Sequence, residues 1–388
     1  MKKTIVISAV NIRKGGTLTI LRQCLAYLSS LCGEYRVVAL VHDRRLCEQE
    51  GIEYIEMPWC VKSWGRRLWA EYVSMRGISK KLSPVYLWLS LHDTTPSVKA
   101  ERRAVYCHTS FPFLKTDFQD LKFDPKIVAF SLFTRFAYRV NVHHNDHLIV
   151  QTSWFRDGLS RMLGFPASRI IVARPDGGQR PVAPLAGSAC LGGSGLLEGS
   201  GLMGGDGEEC RHAVPTFIFP ATPDCHKGFE TLCEAASILE KELGRGRFKV
   251  ILTIDGSENK YSKWLKATWG KVESIDFRGF VSREELDRIY SEATALAFPS
   301  RIETWGLPIS EFAPTGRPMI LPDIPYAHET AAGARLVRFV EPRSASALSG
   351  AMKAVLDGTL AGFFPIQQAS PSAPVAPDWA ELFRLLLS

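Results

Sequence analysis

The chain has 388 residues, too many for one ordinary hydrophobic core and suited to two domains of roughly 150–200 residues. Hydrophobic residues make up 46% and charged residues 22%, an ordinary soluble, globular balance, and nine scattered cysteines without a C-x-x-C pair argue against a zinc or dithiol motif. The net charge of +7 divides unevenly: residues 1–180 hold 27 Lys and Arg against 15 Asp and Glu, residues 181–388 hold 20 against 25. That asymmetry fits either an anionic partner for the first half or an unevenly solvated surface. Reduced thiols in the cytosol are favoured over a disulfide framework.

At the amino terminus, Lys2 and Lys3 precede an apolar run of about seven residues, too short to span a bilayer and without a small-residue cleavage site. It reads as a buried first strand, not a signal peptide. Buried parallel strands are predicted at 4–10, 35–41, 84–91, 103–108, 147–152 and 169–174, with helical patterns at 17–32 and 124–141 between them. Gly15 and Gly16 lie in the first strand-to-helix turn, with Thr17 as a cap. Residues 62–81 carry six basic residues and one acid among Trp64, Trp69 and Tyr72. The segment reads as a helix lying on an anionic membrane surface, or as a basic helix with its aromatic face in the core. His92 and Asp93 end one predicted strand and His108 ends the next.

Residues 183–213 are rich in Gly, Ser and Ala without a period, which predicts a linker or insertion. The stretch "GSGLLEG" within it approaches a dinucleotide fingerprint, but no predicted strand precedes it and no clear helix follows. A second alternating unit has strands at 216–221, 248–255, 274–280, 294–300, 317–323 and 335–340, with helices at 227–243 and 283–293 and another opening at Gly306-Leu307-Pro308. The expected organisation is a Rossmann-like domain at 1–180, a Gly/Ser-rich linker at 181–214 and a second Rossmann-like domain at 215–365. Residues 366–388 form a further linker and a terminal helix that packs back on the first domain. The expected class is α/β, two doubly wound domains facing across a ligand cleft at their strand carboxyl ends.

The chemistry concentrates in "FPSRIETWGLPISEFAPTGRPMILPD", residues 298–323. Pro308 suits a first helical turn, and Gly306 lets backbone approach a ligand closely. Free N–H groups at a helix start favour phosphate, and a carboxylate that accepts two hydroxyls is a usual ribose holder. Glu303 before the helix and Glu311 one turn inside it therefore read as a clamp for a phosphorylated polyol. They read equally well as a solvated loop residue and a glutamate favoured by the helix dipole. No Asp-x-Asp motif occurs, nor a His-x-x-x-His pair in a metal setting, so no metal and no cofactor are expected.

The run from Val281 to Glu329, with Glu303, seven intervening residues, Glu311, Gly316 and Pro318, resembles the nucleotide-binding signature of the GT-B glycosyltransferases, specifically the retaining glycosyltransferase family 4. More weakly, the resemblance extends from residue 1 to about 340. It implies a hexosyltransferase acting with retention on a nucleotide-diphosphate sugar. The implied acceptor is a glycan or lipid-linked hydroxyl, in bacterial surface polysaccharide or glycolipid assembly. A nucleotide-sugar epimerase of the same shape and a non-catalytic nucleotide-binding protein are the alternatives.

By this resemblance Glu303 contacts the donor sugar, the backbone of Trp305, Gly306 and Leu307 faces sugar and diphosphate, and Glu311 holds the ribose. Lys227 neutralises the diphosphate, Gly15 and Gly16 close over it, and His108 lies near the donor sugar. Asp93 binds acceptor or orients a partner. Where the family has an arginine five residues before the lysine, this chain has Thr222, so one cation is missing. Expected partners are the nucleotide sugar, the acceptor and an anionic membrane surface, with no nucleic acid. The expected location is the cytoplasm, peripherally on the inner membrane face.

Overall fold

The computed structural model describes residues 2–174, 214–368 and 371–388; the Gly/Ser-rich stretch 183–213, with its glycine fingerprint, lies outside them. The first domain contains β1 (Lys3–Ala9), β2 (Tyr35–Val41), β3 (Glu53–Glu56), β4 (Val85–Ser90), β5 (Arg102–Tyr106), β6 (His147–Val150) and β7 (Ile170–Ala173). The second contains β8 (Thr216–Phe219), β9 (Lys249–Leu252), β10 (Ile275–Phe277), β11 (Ala295–Ala297), β12 (Met319–Pro322) and β13 (Val337–Val340). A last short strand, β14 (Val375–Ala376), returns to the first sheet.

Every pairing between these strands is parallel, in the orders β14-β7-β6-β5-β4-β1-β2-β3 and β10-β9-β8-β11-β12-β13. Parallel strands need crossovers that cover both faces, so both faces must be apolar. β1 shows this directly. Ile5, Ile7 and Ala9 join one buried cluster, while Val6 and Val10 join another on the opposite face. Each sheet reverses its order once, between β1 and β4 and between β8 and β11. Crevices for ligands form outside the strand ends at such reversals.

Several elements differ from the predicted ones at their ends or were not predicted. β3, sequence EYIE, is a four-residue edge strand without a buried residue, so its hydrophobic signal is faint. The helices Ser153–Leu163 and Lys260–Trp269 are amphipathic, with Phe155, Leu159 and Leu163 buried on the first and Tyr261 and Leu265 on the second, and were not predicted. The terminal helix Trp379–Leu387 lies on the first domain, with Leu382, Phe383 and Leu386 buried in its core. Tyr27 stacks on Phe383 at 5.5 Å, and Tyr86 donates to the Leu387 carbonyl at 2.8 Å. Among the described residues, no helix is long and apolar enough to cross a membrane.

The two domains are tied together by hydrogen bonds, ion pairs and one small shared core. Glu329 of the second domain accepts from the backbone N–H of Ser153 at 2.7 Å and of Trp154 at 3.2 Å, capping a first-domain helix that has no side-chain cap of its own. Thr152 Oγ1 donates to the Thr304 carbonyl at 3.0 Å. Arg301 forks onto Asp120, with one contact at 3.1 Å, and Asp117 takes Arg343. Ile302 packs with Leu114 and Ile127 in a small shared core.

Candidate active site

The second sheet's order reversal places the ends of β8 and β11 side by side, and each carries one half of an ion pair. After β8 the chain makes a short turn, Cys225–Lys227, and Gly228 follows with φ +73°. A Cβ at Gly228 would lie 2.8 Å from the Pro299 carbonyl oxygen, so only glycine lets the two loops come this close. The result is a contact of 2.6 Å between Lys227 Nζ and Glu303 Oε1. The side chains are 15% and 16% exposed, so both are mostly buried. Ser300 Oγ donates to the same glutamate oxygen at 2.7 Å, and Tyr326 in turn donates to the Ser300 carbonyl at 2.6 Å. Both glutamate partners thus lie in the loops that follow β8 and β11.

The turn after Glu303 is held from two sides. Trp305 is buried, its indole N–H donating to Ser310 Oγ at 3.1 Å, and Thr330 donates to its carbonyl. The Arg174 guanidinium lies over its ring at 5.5 Å. Gly306, at φ +90°, turns the backbone into the six-residue helix Leu307–Phe312. Leu307 meets the other domain here: a Cβ at Gly16 would lie 3.7 Å from its Cδ1. Gly15, at φ +72°, has open space where a Cβ would be. The glycine turn of the first domain therefore stands directly against the Trp-Gly-Leu-Pro turn of the second.

Glu311 stands apart from Glu303 and shares none of its partners. Its carboxylate pairs with Arg283 at 2.5 Å and accepts from the Tyr290 hydroxyl at 3.2 Å. Position 222 holds no cation: Thr222 Oγ1 donates to Asp224 at 2.6 Å.

In the first domain, His108 follows β5 and is partly buried, with its ring stacked on Tyr106 at 4.4 Å. Neither ring nitrogen has a hydrogen-bond partner. Asp93, in the left-handed region at φ +70°, fixes this turn. It accepts from the backbone N–H of His108 at 2.5 Å and of Thr109 at 2.9 Å, from Thr109 Oγ1 at 2.8 Å and from Tyr138 at 2.8 Å. His92 sits in a separate buried network with Ser8, Ser90 and Glu71.

Burial holds His92 and His108 below the ordinary histidine range, and holds His226 well below it, with Lys227 and Arg301 adding to the last. All three rings are freed to take protons on unfolding. Below the ordinary value near 6.5 the unfolded chain then binds more protons than the folded one. Their share of stability is fully present above that pH and falls as pH drops toward the folded values. The melting temperature is expected to be lower at about pH 5.5 than at about pH 7.5. A flat profile in differential scanning calorimetry would show the rings to be already solvated.

Ser300, Gly228, Tyr326 and Arg283 were not singled out from sequence, although the first two adjoin quoted motif residues. Arg301, Asp117 and Asp120 left no sequence signal, because their pairing spans about 180 positions and joins two domains.

Residues 214–358 match the family described as glycosyl transferases group 1. A search among curated proteins gave no match. Among solved structures, a glycosyltransferase from Rickettsia africae is 16% identical with a TM-score of 0.60, covering 92% of this chain and 88% of that one. WaaG, a glycosyltransferase involved in lipopolysaccharide biosynthesis, is 17% identical at a TM-score of 0.59, covering 92% and 91%. Anabaena HepE, solved with UDP and glucose, is 13% identical at a TM-score of 0.58, covering 92% and 90%. The second domain thus matches the group 1 glycosyl transferases, and the chain as a whole has the two-domain fold of the GT-B glycosyltransferases.

Proposed function

We propose that this chain transfers a hexose-type sugar from a nucleotide-diphosphate sugar to an acceptor hydroxyl, with retention of anomeric configuration. The observation that carries the reading is the Lys227–Glu303 pair at the order reversal of the second sheet, followed by a turn whose Leu307 lies against Gly16 of the first domain. The acceptor is a glycan or lipid-linked compound of bacterial surface polysaccharide or glycolipid assembly, a role supported by the similarity to WaaG. Retention and family 4 membership are supported by the signature around Glu303 and Glu311. The seven described cysteines are all free, which favours a cytoplasmic location.

Transfer breaks the bond between the anomeric carbon and a diphosphate oxygen and forms one to the acceptor oxygen, whose proton passes to the departing diphosphate, so negative charge gathers on the leaving group as it separates. Lys227 stabilises that charge without a protein-held metal. Glu303 accepts hydrogen bonds from hydroxyls of the donor sugar. The backbone from Trp305 to Leu307 faces sugar and diphosphate, and Gly15 and Gly16 cover them from the other domain. His108 offers the sugar a neutral ring with unpartnered nitrogens. Asp93, already accepting four hydrogen bonds, serves by fixing the His108–Thr109 turn rather than by binding acceptor.

Isothermal titration with UDP-, GDP-, ADP- and dTDP-sugars tests the reading. One nucleotide should bind tightly, and product should form only when acceptor is added. Epimerised sugar formed without acceptor would replace transfer by epimerisation, and binding without any turnover would leave a nucleotide-binding protein. Glu311→Ala is expected to weaken binding of the selected nucleotide by roughly 1–3 kcal/mol through lost charge-assisted ribose bonds. Unchanged affinity in the same titration would reduce Glu311 to a partner of Arg283 and Tyr290.

A further inference from the structure

One stretch of the first domain, residues 111–127, reaches across to the second and lands on the two loops that carry the Lys227–Glu303 pair. Phe111 meets His226, the neighbour of Lys227, edge to face at 5.2 Å. Leu114 and Ile127 bury Ile302, the neighbour of Glu303. Between these contacts the short helix Phe118–Phe123 gives Asp120 to Arg301 and sets Phe123 against Trp264 at 4.8 Å.

Arg301 is the residue on which these contacts converge. Its backbone N–H donates to the His226 carbonyl at 2.8 Å, which ties the loop after β11 to the loop after β8. Its side chain, 7% exposed, forks onto Asp120, whose side chain is fully buried. Asp120 is aimed by its own helix. It accepts from the Asp117 N–H at 3.0 Å, while Asp117 accepts from the Asp120 N–H at 2.8 Å, a reciprocal cap. One residue thus holds both loops of the pair to each other and, through a carboxylate, to the other domain.

A buried ion pair does little for stability, because desolvation offsets much of the attraction; its better attested use is to fix register. Neither charge can stay buried alone, so the domains can part or slide here only by carrying both groups into water. On the transfer proposed for the site, we infer that Arg301 and Asp120 are positioning residues. They lock the domain arrangement in which residues 111–127 meet the two loops, and in that arrangement they hold Lys227 and Glu303 in register around the donor. A displacement of about 1 Å at reacting groups can cost about 10²-fold in rate, so a pair that touches no substrate can still set turnover. Glu311 lies outside this network, held by Arg283 and Tyr290, so nucleotide binding does not depend on it.

The test compares Arg301→Met, Arg301→Lys and the double variant Arg301→Met, Asp120→Asn with wild type, all as the full chain. Arg301→Met should lower kcat by about 10–100-fold, while KM for the donor and nucleoside diphosphate affinity move by less than about threefold. Arg301→Lys, which keeps a charge for Asp120, should keep more of the rate. Arg301→Met leaves Asp120 buried without its partner, so its melting temperature should fall. The double variant removes both charges and should recover the melting temperature while kcat stays low. A kcat that recovers with the melting temperature would reduce the pair to a brace of the fold and overturn the inference. Small-angle X-ray scattering without ligand reads the domain arrangement apart from catalysis. The radius of gyration of the double variant should exceed that of wild type, and an unchanged value would also overturn the inference. Wild type that turns over no nucleotide sugar would sink the transfer reading, and scattering would still decide whether the pair sets the domain arrangement.

Discussion

Glu303→Gln is expected to lower turnover by about 10²–10³-fold while leaving nucleoside diphosphate binding intact or tighter. In the structure Glu303 Oε1 lies 2.6 Å from Lys227 Nζ, so the carboxylate occupies the cation that the diphosphate needs. Donor binding must therefore divide the pair, turning lysine to the diphosphate and glutamate to the sugar. A nucleoside diphosphate without sugar uses only the lysine. Glutamine keeps the shape and can still accept from Ser300 Oγ, which lies at 2.7 Å, but it no longer competes by charge. Lost charge-assisted bonds to sugar hydroxyls in the transition state account for about 3–4 kcal/mol at the upper end. Steady-state rates and calorimetry on one preparation separate the two effects. Equal losses in both would make Glu303 a prop for Lys227 and nothing more.

The same pair shows how far the sequence could be read. The alternating strands, the two-domain arrangement and the spacing of Glu303 and Glu311 lie in local patterns, because strand period, turn residues and helix starts are local physics. Lys227 and Glu303 are 76 positions apart, and only the order reversal between β8 and β11 brings them together. Gly228 makes that contact possible, yet a glycine after a lysine says nothing of the Pro299 carbonyl it faces. Leu132, Phe133 and Phe136 were legible as a helix but not as a surface, since apolar residues at helical spacing ordinarily signal core. Asp93 was legible as a polar residue at a strand end. Its four partners come from the turn after β5 and from Tyr138, and none of these is a sequence neighbour.

Lys227→Ala is expected to give the larger loss, about 10³-fold in kcat/KM for the donor, because one fixed cation faces a leaving group that gains charge in the transition state. Thr222, hydrogen-bonded to Asp224, supplies no second cation to share that task. The single variant also strands the Glu303 carboxylate in a mostly buried site, so its melting temperature should fall. This makes loss of activity alone ambiguous, and the double variant Lys227→Ala, Glu303→Gln resolves it. Removing both charges should return the melting temperature toward wild type while activity stays at the level of the lysine variant. The two positions would then be strongly non-additive in rate, as groups acting on one bound ligand are. Activity that recovered with stability would instead assign Lys227 to folding, and the diphosphate would have to find its cation elsewhere. Lys227→Arg should recover only part of the activity even with its charge kept, because the longer, planar guanidinium holds its charge in a different place and geometry from the compact ammonium.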